Sequence, residues 1–451
     1  MPRSVPCVWC LALTVHLLSH SWLNQTRIML VKTCLFHFLF SVCILNNINL
    51  SQALGQDPNL AQCVTKCLEG PELKKEPSET TPKDGFKIIC YYTYYSWYRV
   101  GTGTFFPESI DPNLCTHVVY NAAMLNPETL VLDHKDSWAD IDNSFYKRVT
   151  DLKSKGVKVL LSVGGWAESG TDKYSKLINN QMARIKFITS TVSYLLKHNF
   201  DGLEVAWSYP KCWQADCSKG PDSDVKAFGV FIRELKLAFR PRKLILAAQV
   251  ARSPYIINQA FDIPTLQTYL DWFAVESINY HSAYDKRTAY VHPLYGGTET
   301  DSNANFSMHF WLSKEVPRDK LVMGLCSYAR TYTLSSPSEH GLGSEVSKPG
   351  VAGRYSKESG ILSYYEVCDN IRSKNWTLVQ DESKTMGSYA YGGDQWASFD
   401  EPELMGIKAK YAKDLKLAGV SFWTLDYDDF NNKCGGGKYP LLRAVNDAVR
   451  D

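Results

Sequence analysis

The residues best placed to do chemistry lie in the stretch 200–210, which reads FDGLEVAWSYP. It holds two carboxyl side chains, Asp201 and Glu204, and a hydroxyl at Ser208. A carboxylic acid can protonate a leaving group, and this general acid catalysis is worth about 10² to 10⁴ in rate. A serine hydroxyl has a pKa far above any working pH, so Ser208 cannot deliver a proton as a carboxylic acid does.

Eight short apolar runs alternate with helical stretches from residue 86 onward, and 200–210 contains the fourth of them. The clearest helix has apolar residues at helical spacing, namely Met182, Ile185, Ile188, Val192, Leu195 and Leu196. This alternation predicts an α/β protein with a (β/α)8 TIM barrel, in which functional residues lie at the carboxyl ends of the strands. An open doubly wound sheet is the alternative, but no G-x-G-x-x-G follows the first run. The runs are Phe86–Tyr92, Thr116–Tyr120, Val157–Val163, Gly202–Trp207, Leu244–Val250, Trp272–Ile278, Leu321–Leu325 and Gly419–Leu425.

The chain divides into four predicted parts. Residues 1–55 form a leader region, 56–85 a charged, Pro-rich linker, and 86–450 the barrel. Within the barrel, residues 330–400 are rich in Gly, Ser and Tyr, which predicts a small α+β lobe inserted between strands 7 and 8.

The N-terminal region has the pattern of a secretory signal. A basic segment precedes the apolar run 33–45 and a small-residue exit, and neither apolar run reaches the roughly 20 residues that span a bilayer. Translation from Met29 would give an ordinary signal, and translation from Met1 an extended leader. We expect a secreted, extracellular protein with no membrane insertion of the mature chain; an uncleaved signal anchor is the alternative.

Composition agrees with export and excludes some partners. The 13 cysteines fit an oxidising compartment, and nine of them follow the leader. Their spacing is unlike that of a zinc site, so we expect disulfides and no metal or cofactor. Asn305 and Asn375 each begin a glycosylation tripeptide. The net charge of +2 without a long basic run argues against nucleic acid as a partner.

Four segments together carry a family resemblance. FDGLEVAWSYP, SVGGW at 162–166, Tyr280-His281 and WTLDYDD at 423–429 resemble family 18 glycoside hydrolases, the chitinases, with arthropod-type features over residues 86–450. Active members read D-G-x-D-x-D-W-E-Y-P at the first segment. The resemblance implies that the last acidic residue of this signature is the general acid, while the substrate's own N-acetyl oxygen attacks the sugar carbon.

The chain departs from the signature where the reaction takes place. Ser208 occupies the acid position, Ala206 the position of the preceding Asp, and Glu204 that of the first inner Asp. Asp201 is retained, and we expect it to be a buried structural carboxylate. Losing the acid and the charge that stabilises the intermediate should leave little hydrolysis.

The sixth run departs as well. Active members carry M-x-Y-D there, whereas this chain has Glu276, Ile278 and Asn279, and Asn121-Ala122 replaces the usual A-F pair on the second run. Glu276 is an additional acid. Because it lies on a different strand from Ser208, we do not expect it to reach the glycosidic oxygen.

The retained groove positions are largely aromatic. Flat rings cover the apolar faces of sugars, and we expect Trp423 and Trp166 to do so, whereas Trp207 should pack in the barrel. The ligand contacts implied by the resemblance are Trp423, Trp166, Tyr91, Trp97, Tyr328, Arg330 and Tyr209.

The resemblance also implies three disulfides, Cys90–Cys115, Cys212–Cys217 and Cys368–Cys434. Cys326 is then a buried thiol, and the pairing of Cys63 and Cys67 stays open.

These features predict a secreted, catalytically degenerate protein that binds chitin or N-acetylglucosamine oligosaccharides. A growth-factor-like or immune signal that uses the barrel as a scaffold for a cell-surface receptor is one alternative. A chitinase with residual or unusual hydrolytic activity is the other.

Overall fold

A computed structural model describes residues 85–296 and 301–450 of the chain. The predicted leader, the linker, Met29, Cys63 and Cys67 lie outside the described residues. The strands are β1 Lys87–Thr93, β2 His117–Leu125, β3 Leu132–Asp133, β4 Lys158–Gly164, β5 Gly202–Ala206, β6 Ile245–Val250, β7 Trp272–Val275, β8 Leu321–Cys326, β9 Tyr328–Leu334, β10 Val346–Pro349, β11 Ile361–Ser363, β12 Thr377–Gln380, β13 Ser388–Gly392, β14 Gln395–Phe399 and β15 Gly419–Trp423. The α-helices are α1 Phe145–Thr150, α2 Lys173–Asn179, α3 Gln181–Lys197, α4 Ser223–Phe239, α5 Pro254–Ala260, α6 Ile263–Tyr269, α7 Ala304–Ser313, α8 Tyr364–Ser373, α9 Pro402–Asp414 and α10 Pro440–Val449.

Eight parallel strands close into a barrel, which confirms the predicted fold. Their order is β1, β2, β4, β5, β6, β7, β8 and β15, and β15 pairs again with β1. All eight predicted apolar runs coincide with these strands. Strands of this kind are apolar on both faces because helices cover the outside and side chains fill the inside.

The barrel interior is filled with side chains. Ile89, Tyr91, Val119, Leu160 and Trp272 are among its buried residues. On the outside, α3 begins after Asn180, whose side chain accepts a hydrogen bond from the Ala183 amide, and it buries one apolar face. The predicted helix at 182–196 is therefore present.

A second sheet lies between the seventh and eighth barrel strands. It comprises β9 to β14, in the order β10-β9-β14-β13-β12 with β11 also paired to β9, and every pairing is antiparallel. Because β9 begins at Tyr328, two residues after β8 ends at Cys326, this lobe starts at the carboxyl end of the barrel. It occupies the region for which an inserted α+β lobe is predicted.

Three disulfides join the cysteine pairs that the family resemblance implies. Cys90 in β1 bonds Cys115 before β2, Cys212 bonds Cys217 after β5, and Cys368 in α8 bonds Cys434 beyond β15. Cys326 is a buried thiol among the described residues, and burial raises its pKa to about 12. Such a thiol is protonated and unreactive at neutral pH.

Candidate functional site

The end of β5 is covered by protein. Ser208 is only 1% exposed, and its backbone N–H donates to Ser169 Oγ at 2.9 Å. Trp207 stacks on Tyr174 with 5.5 Å between ring centroids, so it has the packing role expected of it. The Ser208 hydroxyl is therefore a small group at the bottom of the site.

Close contact between β4 and β5 shapes this part of the site. Gly164 has φ of 114°, and a Cβ atom there would lie 2.7 Å from the carbonyl oxygen of Ala206. The next amide, Gly165 N–H, donates to the same oxygen at 2.8 Å. Glycine is required because a side chain would push the two strand ends apart.

Glu204 is a fully buried carboxyl group inside the barrel. Tyr91 donates to its Oε2 at 2.8 Å, and Gln249 Nε2 donates to its Oε1 at 3.3 Å. Burial raises the pKa of Glu204 to about 7, against the lowering effect of these hydrogen bonds. Glu204 is therefore a buried carboxyl group that two neighbouring side chains hold in place.

Asp201 does not belong to this site. It precedes β5, and its Oδ2 accepts from the Val159 amide at 2.8 Å while Lys153 Nζ lies 3.0 Å from Oδ1. Val159 is the second residue of β4, so Asp201 lies at the amino end of the barrel, opposite the site. It is also partly exposed, which corrects the expectation of a buried carboxylate among the reaction positions.

Glu276 lies near the residues that follow β5, although it is on a different strand; that it does not reach a glycosidic oxygen stays a prediction. It follows β7, its backbone N–H donates to Val250 O at 3.0 Å, and Tyr209 donates its hydroxyl hydrogen to Glu276 Oε2. The two strands β5 and β7 flank β6, and their ends converge at the carboxyl end of the barrel. The Glu276 carboxyl is thus hydrogen-bonded to the residue directly after Ser208.

Trp423 forms an apolar floor at the end of β15. Its indole is half-buried, contacts the Tyr91 ring with 4.9 Å between centroids, and packs with Ile278 against a buried cluster that includes Tyr328. The exposed part of the ring is available to a flat apolar partner.

Tyr328 and Arg330 are held together through Asn279. Asn279 Nδ2 donates to Tyr328 Oη at 2.6 Å, and Arg330 Nε donates to Asn279 Oδ1 at 3.0 Å. Arg330 remains half-buried beside the Tyr328 ring. This chain of hydrogen bonds fixes the guanidinium at the junction of barrel and lobe.

Three of the predicted ligand contacts are covered by protein. Tyr91, Tyr209 and Tyr328 are 2%, 3% and 4% exposed. Their rings and hydroxyls hold Glu204, Glu276 and Asn279, so in this conformation they position other groups rather than present a surface of their own.

Trp166 and Trp97 lie at different depths. Trp166 is 56% exposed in the turn after β4. Trp97 is half-buried and packs against Trp138, with ring centroids 4.8 Å apart, and against Phe145. Trp166 is therefore the more accessible of the two predicted contacts.

Sequence reasoning passed over three exposed aromatic residues that contact the Trp97 ring. They are Tyr98, Phe106 and Trp138. A signal was present for Tyr98, which belongs to the aromatic-rich run 94–98 directly after the first strand.

The two predicted glycosylation asparagines differ in accessibility. Asn305 lies in the first turn of α7, half-buried, and its Oδ1 accepts from Tyr411 at 3.0 Å. Asn375 is exposed between α8 and β12. Asn375 is therefore the more accessible of the two, and glycosylation of both stays a prediction.

Neither a metal centre nor a membrane span is seen in the described part of the chain. Within residues 85–296 and 301–450, no three His, Cys, Asp or Glu side chains are grouped so as to hold a metal ion. In the same ranges, no helix is both long and apolar enough to cross a bilayer.

Sequence comparison places the described residues beside known chitinases. The model of the family Glycosyl hydrolases family 18 matches residues 87–428. "Probable chitinase 10" of Drosophila melanogaster is 43% identical over 385 residues, which are 84% of this chain but 17% of that protein. The chain thus spans only a small part of this relative.

Structure comparison gives two informative neighbours. Catalytic domain 2 of the Ostrinia furnacalis Group II chitinase is 42% identical, with a TM-score of 0.80 over 81% of this chain and 96% of that one; a mutant of it was solved in complex with penta-N-acetylchitooctaose. Human YKL-39, described as a pseudo-chitinase with retained chitooligosaccharide binding properties, is 31% identical, with a TM-score of 0.73 over 81% of this chain and all of that one.

Proposed function

Because the chain belongs to glycosyl hydrolase family 18, we propose that its groove binds chitooligosaccharides and holds them without hydrolysis. The observation that carries the proposal is position 208. A covered serine stands there, at the end of β5, where the family signature places the proton-donating acid.

Binding is supported by the floor of the groove. Trp423 presents a half-buried indole, backed by Tyr91 and flanked by Ile278. An aromatic ring in this setting buries sugar area at little cost in conformational entropy. Both chitooligosaccharide-binding neighbours share this fold.

Loss of cleavage is supported by three substitutions that act together. Ser208 cannot supply a proton, Ala206 offers no charge to a developing cation, and Ile278 cannot donate a hydrogen bond. When catalytic residues act as a unit, the effects of their substitutions on the rate are not additive. Even one such substitution therefore suffices to suppress most turnover.

We propose that the protein acts outside the cell. Its three disulfides require an oxidising compartment, and the N-terminal pattern is that of a secretory signal. The exposed Asn375 is a suitable glycosylation site there.

Isothermal titration with N-acetylglucosamine tetramer tests the proposal. We expect wild-type binding with the tetramer recovered intact, and at least tenfold weaker binding by Trp423→Ala, a loss of about 1.4 kcal/mol. Trp423→Phe, which keeps a flat ring, should retain most of the affinity. Absence of binding by the wild type would overturn the proposal, and receptor capture that survives Trp423→Ala would favour signalling instead.

A further inference from the structure

Glu276 is a carboxyl group with one oxygen committed and one available. Tyr209 donates to Oε2, and the side chain as a whole is partly exposed at the carboxyl end of the barrel. Hydrogen bonds within the described residues engage Oε2 alone. The second oxygen, Oε1, can therefore meet a ligand.

No cation among the described residues forms an ion pair with Glu276. The positive charge of Arg252 lowers the pKa of Glu276, but its Nη2 donates to Asn279 O at 2.7 Å and its guanidinium lies over the Tyr280 ring. The other charged group that acts on this region is Glu204, whose pKa the Glu276 charge raises further. The pocket therefore carries two carboxyl groups and lacks a direct counter-ion for the more exposed one.

The apolar neighbours of Glu276 offer no hydrogen bond to a ligand. Ala206 is fully buried, and Ile278 packs against the same buried cluster as Trp423; neither side chain can donate a hydrogen bond to an acetamido group. Tyr91 is already committed to Glu204. Glu276 Oε1 therefore offers an unengaged acceptor to a sugar that lies on Trp423.

We propose that Glu276 is a ligand-binding residue whose free carboxylate oxygen pairs with an unacetylated amino group, so that partly deacetylated chitooligosaccharides are the preferred ligands. This rests on the proposed function, because it assumes that the same groove holds the chain of sugars. An ammonium group would supply the missing counter-ion through a charge-assisted hydrogen bond, which is about twice as strong as a neutral one. An acetamido nitrogen offers only a neutral donor and brings a carbonyl oxygen towards a carboxylate.

This pairing makes affinity depend on pH in two directions. Burial raises the pKa of Glu276, while Tyr209 and Arg252 oppose the shift, so the carboxyl gains a proton at a higher pH than an ordinary glutamate. Affinity for an amino sugar should fall on the acid side as Glu276 is protonated. It should also fall on the alkaline side as the amine loses its proton, near pH 8 for an amine of this kind.

Titration of the wild type with two tetramers tests the inference. One is the fully acetylated N-acetylglucosamine tetramer and the other the glucosamine tetramer, both at pH 6.5. We expect the glucosamine tetramer to bind at least tenfold more tightly. Glu276→Gln should abolish this preference by weakening binding of the glucosamine tetramer, because glutamine can still accept the Tyr209 hydrogen bond but carries no charge to pair with an ammonium group.

Glu315→Gln is the matched control. Glu315 is exposed between α7 and β8, in the connection that leads into a strand from the amino end of the barrel, opposite the groove. The Glu315→Gln substitution removes one negative charge, as Glu276→Gln does. We expect this variant to keep the preference for the glucosamine tetramer.

The outcomes separate this inference from the proposed function. If only the acetylated tetramer binds, or if Glu276→Gln keeps the preference, the proposed function stands and the role of Glu276 is overturned. If neither tetramer binds, the proposed function fails, and this inference fails with it.

Discussion

At the scale of single residues, the interpretation depends on Ser208 and its surroundings. The residue is covered, its amide is held by Ser169, and its hydroxyl is too short to reach a substrate oxygen as a glutamate would. Under the proposed function, a carboxyl restored there replaces only one of several groups of the family signature.

We expect Ser208→Glu to remain nearly inactive in a fluorogenic chitobiose assay. The new acid would lack the neighbouring charge that Ala206 does not provide and the donor that Ile278 does not provide, and these terms are each worth about 10² or more in rate. A melting curve close to that of the wild type would confirm that the variant is folded. Substantial turnover by this single variant would show that the rest of the machinery is intact.

Two residues show where reasoning from sequence fails at this scale. Asp201 and Glu204 are three positions apart, but a strand rises about 3.3 Å per residue, so they lie at different depths in the barrel. Glu276 meets Tyr209 across 67 positions of sequence, through strands that are not neighbours. Local spacing cannot reveal either arrangement, because closure of the barrel decides both.

At the scale of elements, the strands were predictable and their ends less so. Strands buried on both faces read as continuous apolar runs, which is why all eight were found. The sixth run was expected to extend to Ile278, but β7 ends at Val275 because the chain turns there, with the Ser277 amide bonded to Val275 O at 2.8 Å. That turn directs Glu276 and Ile278 to the site.

Each disulfide should stabilise the fold by an amount that rises slowly with the length of the loop that it closes. Cys368–Cys434 spans 66 positions and ties α8 of the lobe to the segment after β15, whereas Cys212–Cys217 spans five. Loop entropy predicts about 4 kcal/mol for the long loop and about 2 kcal/mol for the short one. In urea denaturation, the double variant Cys368→Ser/Cys434→Ser should therefore lose more stability than Cys212→Ser/Cys217→Ser. Equal losses, or a larger loss for the short loop, would refute this account of the lobe's attachment.

At the scale of the whole molecule, buried carboxyl groups link stability to pH. Burial raises the pKa of Glu204 and Asp428 to about 7 and that of Asp140 to about 6. The folded state then binds more protons than the unfolded state between about pH 4 and 7. These groups contribute stability that is fully present below their unfolded pKa and is lost as pH rises through their folded pKa.

Glu204→Gln should remove part of this dependence. The amide keeps an acceptor for Tyr91 and carries no charge, so relative to the wild type the variant should gain stability between pH 5 and 8, by up to about 3 kcal/mol. Melting temperatures of both proteins across this range measure the effect. Parallel curves for the two proteins would show that folding does not shift the pKa of Glu204.

Binding without hydrolysis is tested most directly by following what happens to a bound oligosaccharide. Purified protein is incubated with N-acetylglucosamine hexamer, and the complex is isolated. The oligosaccharide is then recovered and its mass is measured by mass spectrometry. The proposed function predicts that the hexamer is retained at its full mass after prolonged incubation. Shorter oligomers that form in proportion to the amount of this protein, and far less with the weakly binding Trp423→Ala control, would contradict it.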